Sequence, residues 1–140
     1  MNDVPTVLFV CVHNSGRSLA ARVLLDHYAQ GSLRVESAGS EPAATLNASV
    51  VALLHERGLD VTREFPKPLT AEHARTADVV ITMGCGDACS TYSGTRYLDW
   101  ELDDPAGKSI EDVRVILAEI DVRVRQLLRE LTSAERAPRA

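Results

Sequence analysis

Two side chains with complementary chemistry lie close together near the start of the chain. Cys11 and Arg17 bracket the segment "CVHNSGRS", with five residues between them. A thiolate is a nucleophile. A guanidinium is a planar fork that grips two oxygens of an anion. An apolar run, Val7 to Val10, leads into Cys11, and a helical pattern starts straight after Ser18. The segment therefore reads as a strand, a tight loop and a helix N-terminus. Such a terminus carries unpaired N–H groups and about half a positive charge, which suits a tetrahedral oxyanion. In this reading the loop Cys11, Val12, His13, Asn14, Ser15, Gly16, Arg17 and Ser18 wraps the anion. Amide N–H groups cradle its oxygens, Arg17 clamps them and Cys11 sits beneath the central atom. The same positive field favours thiolate over thiol at Cys11.

Each residue also has a plainer reading. Cys11 could be a buried structural cysteine at a strand end, but that role needs no Asn14, Gly16 and Arg17 around it. Arg17 could be a surface cation, yet the first turn of a helix is a poor place for one unless an anion lies between. Asn14 tolerates the left-handed backbone of a tight loop, and Gly16 permits close backbone approach. Ser18 is read as an N-cap, a partner of the thiol, or both. His13 is read as a loop residue.

Two further groups are candidates. Cys85 and Cys89 sit in a polar, glycine-rich stretch with three residues between them. Zinc would need about four ligands, and no second cysteine pair exists. No metal site is expected. Bystander thiols and a redox pair remain, and the redox pair is the favoured reading. Asp103-Asp104-Pro105 closes an acidic run with Asp99 and Glu101. It is either a solvated turn or a source of protons.

These groups need a scaffold. The 140 residues suit one domain, expected over 1–132 with a frayed tail at 133–140, and the composition, 45% hydrophobic and 25% charged, is that of a globular chain. A net charge of −5 argues against a nucleic-acid binder or a polybasic membrane anchor, so any anion site must be local. No apolar run approaches the ~20 residues of a membrane span. The opening residues do not resemble a secretory signal. The expected compartment is the cytoplasm, where three cysteines do not form a permanent framework.

A first helix is expected from about Ser18 to Gln30, ended by Gly31, and a short strand at Leu33–Gly39. Asn47 should cap a second helix that stops at Gly58. Phe65-Pro66-Lys67-Pro68 should be extended, and Thr70 should cap a short helix. "DVVITM", residues 78–83, is a strand covered on both faces. Tyr97-Leu98 suggests a last strand. Ser109 should cap the longest helix, whose stripe runs from Val113 to Leu131. Alternating strands and helices argue an α/β fold with a parallel sheet. Ligands of such sheets lie beyond the strand carboxyl ends. Cys11 follows one strand and Gly84-Cys85 another, so the two thiols are expected at one edge of the sheet.

"CVHNSGRS" resembles the C-x5-R-S signature of the low-molecular-weight protein tyrosine phosphatases, and "ITMGCGDAC" and "DWELDDPAG" resemble their arsenate reductase branch. The resemblance runs from about Val7 to Leu128. It implies a three-layer sandwich, a four-stranded mainly parallel sheet with helices on both faces. It implies that Cys11 attacks arsenate, that Cys85 then takes the Cys11 sulfur, and that Cys89 attacks Cys85. It implies that Ser18 bonds the thiolate, that Asn14 braces the loop, and that Asp104 is the acid, with Asp103 as fallback. No cofactor is bound in this scheme. Electrons come from thioredoxin, a glutaredoxin-like partner or a small thiol such as mycothiol. Phosphate or sulfate would compete as anions, and a monomer is expected. A tyrosine phosphatase, or a non-catalytic oxyanion or redox sensor, is the alternative. In some relatives a carboxylate four positions after the motif's serine helps hold potassium. Here that position is Arg22, so no potassium dependence is expected.

Overall fold

The computed structural model describes residues 4–83 and 95–136. The elements run β1 (Thr6–Cys11), α1 (Arg17–Ala29), β2 (Arg34–Gly39), α2 (Ala48–Glu56), α3 (Ala71–Thr76), β3 (Val79–Thr82), β4 (Arg96–Asp99) and α4 (Ile110–Arg136). The described strands form a four-stranded sheet in the order β2-β1-β3-β4, and each neighbouring pair is parallel. The expected α/β sandwich is the fold observed.

β1 lies inside the sheet and all six of its residues are buried. That explains its unbroken apolar run, since both of its faces meet protein. Successive side chains alternate between faces. Val7, Phe9 and Cys11 join the larger core under α1, α2 and α4. Leu8 and Val10 join a smaller one with Ala38, Ala77 and Val80 beside α3. The thiol thus points to the face that α1 covers. On α4, Val113, Ile116, Leu117, Ile120, Val124 and Leu127 are buried at helical spacing. Burying each such chain contributes about 1.5–3 kcal/mol. Truncating Ile120, one of the most enclosed, should cost about 2–5 kcal/mol.

The helix ends follow local chemistry. Asn47 accepts from the Val50 N–H at 3.1 Å, Thr70 from His73 at 3.1 Å and Ser109 from Asp112 at 3.2 Å. At the end of α1 the cap is Gln30, one residue before the expected glycine, at φ 47°, and Gly31 follows at φ 87°. α4 runs on to Arg136, past the expected stop near Ser133. Ala134, Glu135 and Arg136 are good helix formers, so propensity favours continuing.

Candidate active site

The loop between β1 and α1 is held from outside by its carbonyls. Cys11, Val12, His13 and Ser15 accept from the N–H groups of Ser40, Glu41, Ala43 and Asn47 at 3.2, 2.8, 3.0 and 2.8 Å. No described peptide bond is cis. In a trans peptide the N–H points opposite to its carbonyl. The N–H groups of Val12, His13, Asn14 and Gly16 therefore turn inward. The Asn14 N–H does reach Cys11 Sγ, at 3.3 Å. This is the amide cradle expected of residues 11–18.

The thiol is 2% exposed, with a defined set of neighbours. Ser18 Oγ lies 2.9 Å from Sγ. Asn14 Nδ2 donates to Ser18 Oγ at 2.7 Å, while Asn14 Oδ1 accepts from the Lys67 N–H at 2.8 Å. Asn14 adopts φ 51°, the left-handed region that asparagine tolerates better than most residues. Ser18 resolves one open alternative. It is not the N-cap, because α1 starts at Arg17 and Gly16 occupies the cap without a side-chain bond. One residue inside the helix, its hydroxyl is free to face the sulfur.

Arg17 is buried, which an arginine tolerates only when its donors are used. It donates to the Leu102 carbonyl at 3.2 Å, and its other terminal nitrogen lies 3.7 Å from Asp104 Oδ2. The guanidinium thus joins the thiol loop to the acidic loop. Asp104 is about half exposed and accepts from the Ala106 N–H at 3.0 Å. Gly16 explains how close the two loops come. A Cβ on it would lie 2.7 Å from Pro105 Cγ. His13 is exposed, with Nδ1 3.2 Å from the Glu41 carbonyl.

Cys85 and Cys89 lie outside the described residues. β3, which leads toward them, pairs with β1 so that Thr82 faces Val10. The Met83 N–H then donates to the Val10 carbonyl at 2.7 Å. The chain is therefore beside Cys11 where the description stops.

Three contributors were not read from the sequence: the Lys67 N–H, the Leu102 carbonyl and Gly39. Backbone groups leave no residue-type signal, although Pro66-Lys67-Pro68 hinted at one. Neither proline has an N–H, so Lys67 holds the only one of the three. Burial pushes the Lys67 ammonium below the usual lysine range. A Cβ on Gly39 would lie 2.7 Å from the Val12 carbonyl oxygen, so β2 can approach the loop only as glycine.

The model of the low-molecular-weight phosphotyrosine protein phosphatases matches residues 6–137. The chain belongs to that family. It is 31% identical to a glutaredoxin arsenate reductase of Synechocystis over 90% of this chain and 98% of that one. Among solved structures, it is similar to the thioredoxin-dependent arsenate reductase of Corynebacterium glutamicum. That match has 47% identity and a TM-score of 0.83, covering 95% of this chain and 64% of that one. The present chain thus spans just under two thirds of that protein. An arginine phosphatase of Geobacillus stearothermophilus is also similar, with 26% identity, a TM-score of 0.79 and coverage of 97% and 99%.

Proposed function

We propose that this protein is an arsenate reductase that works as a cytoplasmic monomer in arsenic detoxification. The observation that carries the reading is the Cys11 thiol lying under inward-turned amides, with Arg17 and Asp104 across the opening. The arsenate reductases among its relatives favour arsenic as the central atom.

In the first step the Cys11 thiolate attacks arsenic(V) and displaces one oxygen. That oxygen leaves as water after protonation, with Asp104 as the proton donor and Asp103 as fallback. The amides and Arg17 hold the remaining oxygens. The Cys85 thiolate then attacks Cys11 Sγ. A disulfide forms, the sulfur–arsenic electron pair passes to arsenic, and arsenite leaves at the trivalent state. Cys89 attacks Cys85, which frees the Cys11 thiolate and leaves a Cys85–Cys89 disulfide. Thioredoxin, a glutaredoxin-like partner or a small thiol such as mycothiol returns the two electrons. Phosphate binds in the same cradle and competes, but has no easy two-electron exit.

A phosphatase is the second reading. Cys11, Arg17 and Asp104 suffice for it, and all three gather at one place. The surroundings disfavour an aryl substrate. Asp104-Pro105 is followed by Ala106-Gly107. Trp100 is buried with its ring centroid 5.6 Å from that of Phe9, and Tyr97 packs on the opposite core. Neither offers a ring to a bound phenyl group.

The test uses reduced protein, arsenate, thioredoxin, thioredoxin reductase and NADPH. Wild type should consume NADPH, and Cys85→Ser and Cys89→Ser should each stop turnover. Wild-type rates in both variants would end the relay. Cleavage of aryl phosphate with no reduction of arsenate would select the phosphatase. Binding of the anion without either reaction would select the sensor.

A further inference from the structure

We propose that the Arg22–Glu64 ion pair and the Lys67 N–H together act as a positioning device for the Cys11 thiolate, working through Asn14. The proposal rests on Cys11 being the nucleophile, but not on arsenate being the substrate.

Arg22 follows Ser18 by one helical turn, so both lie on one side of α1. Its guanidinium sits 3.2 Å from Glu64 Oε2, and both side chains are largely buried. Three residues after Glu64, the Lys67 N–H bonds Asn14 Oδ1 and the Lys67 carbonyl accepts from the Gly39 N–H at 2.8 Å. The segment from Glu64 to Pro68 is thus pinned to α1 at one end and to β2 and the thiol loop at the other. Prolines at 66 and 68 stiffen the piece between.

The polarity of the resulting relay matters more than its strength. An asparagine amide presents an acceptor at one end and donors at the other. With the Lys67 N–H on Oδ1, Nδ2 must face Ser18 Oγ. That hydroxyl then accepts from Asn14, and its own proton points to the sulfur 2.9 Å away. A proton aimed at sulfur stabilises thiolate over thiol. Released from Lys67, the amide can turn over and offer Ser18 an oxygen. The serine proton then goes to Asn14 and the thiolate loses a donor.

Charge alone predicts the opposite sign, which makes the proposal testable. The charges around Lys67 are those of Arg22, Glu36 and Glu64. Glu64→Gln removes a negative charge and by Coulomb's law alone should favour thiolate. Loss of positioning should disfavour it. The readout is the rate of iodoacetamide alkylation at Cys11 against pH, in a Cys85→Ser/Cys89→Ser background. Glu64→Gln should raise the alkylation midpoint by about one pH unit, the size expected for one lost hydrogen bond to a charged sulfur. Lys67→Pro, which removes the N–H, should raise it by a similar amount above Lys67→Met, which removes only the charge. A Glu64→Gln midpoint at or below that of wild type overturns the proposal, even if the melting temperature falls. So does a Lys67→Pro midpoint equal to that of Lys67→Met. If wild-type Cys11 near pH 6 alkylates no faster than in the urea-unfolded chain, the nucleophile reading itself fails.

Discussion

Two loops meet at this site and they are built differently. In the first, residues 11–18, Cys11, Asn14, Arg17 and Ser18 are 2%, 1%, 9% and 0% exposed, and four loop carbonyls are tied to the β2–α2 connection. In the second, residues 100–109, Glu101, Asp103 and Asp104 all face solvent, and Pro105 is the buried anchor beside Gly16. The contrast matches two tasks. Dipoles that hold an oxyanion work best when fixed beforehand, because they then need no reorganisation during the reaction. An acid that exchanges protons with water at each turnover needs an exposed place. Arg17 is the link, with its backbone in the rigid loop and its fork on the exposed one.

Substitutions can break this contrast in a definite order of effect. Arg17→Lys removes the fork and the bond to Leu102, and should lower kcat/KM for arsenate by about 10²–10³-fold. Asp104→Asn acts on the exposed loop alone. It should lower kcat by about 10²-fold with KM little changed, whereas Asp103→Asn should do much less. Steady-state kinetics on the three variants separates clamp from acid. The reverse result for the two aspartates would transfer the acid role to Asp103.

Two glycines sharpen the comparison with one added methyl group each. On Gly39 it meets the Val12 carbonyl oxygen at 2.7 Å and the Asn14 nitrogen at 3.0 Å, all fixed backbone. Gly39→Ala should destabilise the fold by about 1–3 kcal/mol, read as a lower melting temperature. On Gly16 it meets the Pro105 ring on the exposed loop, which can shift. Gly16→Ala should therefore cost about tenfold in kcat by displacing Asp104, with little change in melting temperature. Equal melting losses in both variants would show that the two loops are equally rigid. The smallest effect is expected from the medium. With Arg22 already paired to Glu64, replacing potassium by sodium should leave the rate unchanged. A strong rise with potassium alone would refute that.

Much of the site was readable because its chemistry is local in the chain. Cys11, Asn14, Gly16, Arg17 and Ser18 fall within eight residues, and a strand running into a helix permits few geometries. Ser18 shows the limit. A hydroxyl near a helix start is equally good as a cap or as a thiol partner, and a shift of one residue in the start of α1 decided between them. The redox pair was readable only as a pattern, since Cys85 and Cys89 fall outside the described residues. Trp100 and Tyr97, close to the acidic loop in sequence, turned out to serve the two cores.

By itself the sequence determined the strand–loop–helix unit, the parallel α/β plan and the pairing of one nucleophile with one cation. Hydrophobic periodicity and a short motif suffice for those, because they depend on neighbours along the chain. Only the tertiary structure brought Leu102, Asp104, Gly39 and Lys67 to that unit, 85 residues from Arg17 in the case of Leu102 and 53 from Asn14 in the case of Lys67. Such contacts arise from strand order and loop closure. Two of them use backbone groups that every residue type shares, so no pattern of side chains encodes them.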